Sequence, residues 1–132
     1  MTLEDQITED SIAALVDAFY ARVRQDPELG PVFEAAVQDW PEHLSTLSDF
    51  WSSVMLSSGR YHGRPMQVHA RQPIRPEMFD RWLALWGETA GEMFAPEAAA
   101  LFLAKATRIG ESLKYGLFFN PADIAPCARR DG

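Results

Sequence analysis

Apolar residues recur along this chain at helical spacing in four stretches, and no stretch alternates as a half-buried strand requires. In the first, Ile12, Leu15, Val16, Phe19, Tyr20 and Val23 fall on one stripe. Thr8 stands where an N-cap is expected, and Glu9 and Asp10 after it suit the positive end of a helix. Pro27 disfavours helical geometry at Asp26, so this helix is expected to end near Gln25. A short segment, Pro27 to Val37, follows; Gly30-Pro31 punctuates it and Phe33 is its main apolar anchor.

Asp39 is the expected cap of the second long helix, with Glu42 placed as in a capping box and Pro41 tolerated in the first turn. His43, Leu47, Phe50, Trp51 and Val54 share one of its faces, and the serines around Ser57 close it. Gly59, Gly63, Pro65, Pro73 and Pro76 then punctuate the chain, so any helix between them is short. Met66 to Arg71 is the expected one, and it carries His69. The third long helix opens at Pro76 and is expected to bury Phe79, Trp82, Leu83, Trp86, Ala90 and Met93. Pro96 opens the fourth, with the stripe Phe102, Ala106, Ile109, Leu113 and Leu117. The pattern predicts an all-α domain over residues 1–118 and a C-terminal tail without clear structure over 119–132.

At 132 residues the chain has the size of one domain and can enclose one core. Its 47% apolar and 23% charged residues place it among globular chains. The net charge of −7 repels phosphate backbones, and no basic cluster offsets it, so a nucleic-acid role is not expected. The acidic start lacks the basic and apolar regions of a secretory signal, and no run is apolar enough to span a membrane. A cytoplasmic monomer is the expectation. Cys127 is the only cysteine, which rules out an internal disulfide.

The histidines His43, His62 and His69 match no common zinc spacing, and no phosphate-binding loop or serine-nucleophile elbow is present. On spacing alone His69 reads as a surface or half-buried polar residue, or as an axial ligand to haem iron, for which a neutral imidazole is a good donor. His43 lies on an apolar stripe, where it reads as a hydrogen-bonded helix-start histidine or as a pocket residue. Tyr20 and Trp82 read first as core packing, but each carries a polar tip that needs a partner once buried. The aromatic residues, 11% of the chain, suit the walls of a pocket for a flat apolar cofactor as well as a core.

In order, Phe19-Tyr20, the segment Asp26 to Phe33, Trp40-Pro-Glu-His43, Phe50-Trp51, Tyr61-His-Gly63-Arg-Pro65, His69 and Phe79…Trp82-Leu83 resemble the truncated haemoglobins, most closely group III. The likeness runs from about Ile12 to Leu117; the paired-glycine motifs of the other groups are absent, in keeping with the third. It implies a two-over-two helical sandwich around one haem b. His69 is then the proximal iron ligand, and Tyr20, Trp82 and His43 are the distal residues. Phe33, Leu47, Phe50, Trp51 and Phe79 become haem-pocket positions, with Tyr61, helped by Arg64, reaching a propionate. The expected ligand is O2 or another diatomic gas (NO or CO). NO dioxygenase or peroxidase-like turnover would need an external reductase, because no flavin or nicotinamide motif is present. The alternative is a haem-free globin-like module for sensing or partner binding. His62 is expected to be an exposed loop histidine.

Overall fold

The structure, a computed structural model, describes residues 3–63, 69 and 74–118. Six helices of more than one residue lie among them: α1 (Leu3–Gln6), α2 (Glu9–Gln25), α3 (Gly30–Ala36), α4 (Trp40–Leu56), α5 (Pro76–Met93) and α6 (Pro96–Phe118). No strand occurs among the described residues. Helix α2 packs on α4 and on α5, and α5 packs on α6, so two helix pairs are laid one over the other. The expected tail, 119–132, and the segment Met66 to Arg71 lie outside the described residues, apart from His69, which is helical.

The long helices start and stop where local chemistry directs. Thr8 caps α2 by accepting from Ser11 N at 3.1 Å, while Ser11 Oγ accepts from Thr8 N at 2.9 Å. Asp26 ends the helix in extended geometry before Pro27. Asp39 caps α4 by accepting from Glu42 N at 3.1 Å, and Ser57 closes it in the left-handed region at φ 56°. Gly30-Pro31, which reads as punctuation, instead opens a helix, with Pro31 in its first turn. The glycine is required by packing: a Cβ on Gly30 would lie 2.8 Å from the carbonyl oxygen of Arg24.

The core is aromatic. Trp51 of α4 stacks on Trp86 of α5 at 4.3 Å, and Phe19 of α2 meets Trp86 edge-on at 4.9 Å. Trp86 donates its indole N–H to the Phe102 carbonyl of α6 at 3.2 Å, so the largest core side chain is also polar-satisfied. Burying each such ring contributes about 2–3 kcal/mol. Met93, expected in the core, is 42% exposed. Helix α5 ends there, and Phe94 takes the next stripe position after Trp86 and Ala90, packing on Phe102 at 4.8 Å.

Asp26 ties three of these elements together. Its Oδ2 accepts from Glu28 N at 3.0 Å and Leu29 N at 2.9 Å, which orders the turn into α3. Its Oδ1 accepts from the Arg81 guanidinium of α5 at 2.7 Å, and the carboxylate is only 2% exposed. Burial pushes its pKa upward, but the Leu29 and Glu28 N–H groups and the Arg81 charge outweigh that and hold it below the ordinary carboxylate range. Asp26→Ala should therefore cost about 2–3 kcal/mol at neutral pH, since two N–H groups lose their acceptor and Arg81 its partner. A depressed folded pKa stabilises above the unfolded value and fades as pH falls through the folded one. Urea denaturation should show the gap between wild type and Asp26→Ala closing in acid; a gap that persists there would place the effect in packing alone.

Candidate functional site

The hydrophobic stripe of α2 brings Tyr20 to a point where four helices meet. The residue is 4% exposed. Its ring stands 5.6 Å from Phe33 of α3 and, on α4, 6.1 Å from His43 and 6.3 Å from Trp40. From α5, Trp82 lies beside the phenol and acts to lower its pKa. Phe19 closes the fourth side, edge-on to Tyr20 at 4.7 Å and to Trp82 at 6.0 Å. Trp82 in turn lies nearly parallel to Trp86 at 6.2 Å.

So placed, Tyr20 is held as a neutral donor. Burial pushes its pKa up to about 12, and Trp82 offsets only part of that. Kept protonated at neutral pH, the phenol retains an O–H to donate.

His43, in the first turn of α4, stands edge-on to Trp40 at 5.5 Å. Its pKa is lowered, first by burial and then by the charge of His69. Two buried side-chain atoms here have no hydrogen-bond partner among the described residues, His43 Nε2 and Trp40 Nε1. An unpaired buried polar atom costs about 1–3 kcal/mol, and it is tolerated where a bound group completes the site.

The remaining expected pocket residues divide. His69 is helical and half-buried. Leu47 is half-buried one turn beyond His43. Phe50 and Trp51, adjacent in sequence, diverge around α4: Phe50 meets Tyr61 edge-on at 5.1 Å, whereas Trp51 turns into the core stack on Trp86. Tyr61 donates its backbone N–H to Ser53 Oγ at 2.9 Å, and its ring folds over Gly63, where a Cβ would meet the hydroxyl. Phe79 is buried and meets Phe118 edge-on at 6.3 Å. His62 is exposed, and Arg64 lies outside the described residues.

Trp40 entered the sequence analysis only as part of the Trp40-Pro-Glu-His43 segment, with no role of its own, and Arg24 did not enter it. Trp40 precedes His43 by one helical turn, a spacing that puts the two on one face, and this is the signal that was there to read. The Arg24 guanidinium lies 4.4 Å from the centroid of the Trp40 ring, a contact no local pattern announces.

A family model described as bacterial-like globin matches residues 2–98. The group 3 truncated hemoglobin ctb of Campylobacter jejuni is 33% identical over 119 residues, covering 86% of this chain and 94% of that protein. The crystal structure of group III truncated hemoglobin from Campylobacter jejuni matches with a TM-score of 0.81 and 33% identity, over 86% of this chain and 93% of that one. The chain belongs to the truncated haemoglobin family. Its likeness is to group III, and the paired helices described above are the truncated globin fold.

As a globin the chain takes a haem-type cofactor, and its residues fit one. No three His, Cys, Asp or Glu side chains converge as a metal-ligand set among the described residues. A single imidazole suffices for a metal that brings its own equatorial ligands, as haem iron does. The buried His43 Nε2 and Trp40 Nε1, without a partner among the described residues, are the polar atoms a bound group would complete. Among the described residues no helix is long and apolar enough to cross a membrane.

Proposed function

We propose that this chain binds one haem b through the His69 imidazole and holds a diatomic gas, O2 before NO or CO, beside Tyr20, Trp82 and His43. The observation that carries the reading is the buried Tyr20 phenol at the meeting of four helices, edge-on to a His43 whose buried Nε2 has no hydrogen-bond partner among the described residues. Haem held by one imidazole supplies an open iron face for a gas ligand and a site for electron exchange.

The protein's own part is polar and steric. The buried Tyr20 phenol, with Trp82 beside it, donates its O–H toward a ligand; one such bond contributes about 1 kcal/mol net. Phe19, Phe33 and Trp86 keep the donors dry, which strengthens them. Phe33, Leu47, Phe50 and Phe79 supply apolar surface for the porphyrin, Trp51 backs it from the core, and Tyr61 stands toward the propionate edge. Half-buried His43, neutral at physiological pH, guards passage between the cavity and solvent. The same donors serve O2 holding, NO dioxygenation and peroxide chemistry, so turnover of either kind rests on an external reductase.

Hemin titration followed by tryptophan fluorescence tests the reading. Trp82 and Trp86 should be quenched, with saturation at one equivalent per chain. Quenching that rises linearly without a break would mean non-specific adsorption and would remove the proposal.

A further inference from the structure

We propose that Trp40, pinned beneath Arg24, is the positioning residue that holds the His43 ring in place and so sets the rate at which ligands enter. The proposal rests on the reading of His43 as the guard of the cavity and names what controls that guard.

The His43 ring is held by ring edges rather than by its outer nitrogen. Nε2 is buried and has no hydrogen-bond partner among the described residues. Tyr20 stands perpendicular to the imidazole at 6.1 Å and 83°, and Trp40 does so at 5.5 Å and 88°. Edge-to-face contacts of this kind are worth about 0.5–1.5 kcal/mol beyond the area they bury. Tyr20 is buried in the core and held edge-on by Phe19 at 4.7 Å, so it is an immovable wall. Trp40 is the other wall; it lies at the first residue of α4, half-buried against the core.

What steadies Trp40 comes from two other helices. Arg24, in the last turn of α2, places its guanidinium 4.4 Å from the centre of the indole. The same guanidinium is paired through Nε to Glu34 Oε2 of α3 at 2.7 Å. Glu34, Arg24, Trp40 and His43 thus form a line from α3 through α2 to the guard on α4. Both charged ends are about half exposed. The pair is therefore screened by salt and weak on its own, and its effect is to aim the guanidinium at the ring. Loosening any member frees the next one inward, and a freed imidazole swings away from the entrance.

The test is CO association after flash photolysis of the haem-loaded, reduced protein, together with proton NMR of the His43 ring in the CO-bound form. Trp40→Ala should raise the association rate about three- to tenfold, the range set by one edge contact, and leave CO dissociation alone. Trp40→Phe keeps a ring edge and should stay near wild type. Arg24→Gln, at the surface and safe for folding, should raise association about threefold or less, the worth of one exposed cation–π contact. Trp40→Ala combined with His43→Ala should be no faster than His43→Ala alone, because both act through one ring. In the spectra, the ring-current-shifted His43 signals should move toward free-histidine positions in Trp40→Ala and less far in Arg24→Gln. Additive rates in the double variant would overturn the proposal, since Trp40 would then be a separate obstruction. Unmoved His43 signals would overturn it too. If the chain takes up no haem, the function proposed above falls, and the same NMR comparison on the haem-free protein still decides the role of Trp40.

Discussion

A protein carrying His69→Ala is expected to lose its hold on haem by more than about 100-fold, and added imidazole should restore the wild-type spectrum. The size follows from what weaker changes do: removing only an outer-shell partner of a metal ligand costs about 10–100-fold in metal affinity, so removing the ligand exceeds that. Of the three histidines, His62 is exposed in the loop after α4, and His43 shares the wall that carries Tyr20 and Trp40. His69 is helical and half-buried, and it is the imidazole that the family resemblance assigns to the iron. The apolar surface around the porphyrin survives the substitution, which is why a free imidazole can enter and fill the gap. Haem loss to an excess of apomyoglobin is the measurement. Unchanged retention and an unchanged spectrum would move the iron ligand elsewhere, and the same assay on His43→Ala would say whether it moved there.

Substitutions at Tyr20 and Trp82 should accelerate O2 release and should fail to add. Removing a donor from a ligand in a dry cavity costs about 1.4 kcal/mol, which is tenfold in release. CO carries less charge when bound and should respond by a much smaller factor. Non-additivity is expected because Trp82 lies beside the Tyr20 phenol, so the two polar groups converge on one ligand. Trp82→Phe leaves the phenol free to rotate, and Tyr20→Phe leaves an indole N–H free to turn to the ligand. The double variant should therefore lie clear of the sum of the singles. Because burial keeps Tyr20 protonated up to about pH 12, wild-type release should be flat through the neutral range. Stopped-flow displacement of O2 and of CO across the four proteins checks all three statements. Equal effects on the two gases would assign both residues to packing, and strict additivity would mean that they act apart.

What could be read before folding was what neighbours in sequence decide. Thr8, Pro27, Asp39, Pro76 and Pro96 mark helix ends through contacts within a turn of themselves, and the helices start or stop beside them. Gly30-Pro31 misleads in isolation, since the reason for its glycine is a carbonyl on another helix. Phe50 and Trp51 have the same local pattern, but one meets Tyr61 and the other Trp86. Met93 and Phe94 exchange places because a stripe does not say at which residue its helix stops.

The site divides in the same way. The residues Tyr20, His43 and Trp82 could be chosen by resemblance, and the fold brings them together. Their arrangement, with Trp82 beside Tyr20 and His43 edge-on to Trp40, depends on distances between helices that no spacing along the chain encodes. Arg24 is the extreme case. A surface arginine near a proline reads as solvated, and its meaning appears only once α2, α3 and α4 lie side by side.

The most direct measurement is the absorption spectrum of the purified protein, oxidised, reduced and reduced under CO. The account predicts a Soret band from bound haem b that shifts on reduction and again on CO, with a pyridine extract giving one haem per chain. A protein that shows no Soret band after hemin is supplied, or whose band ignores CO, would contradict it.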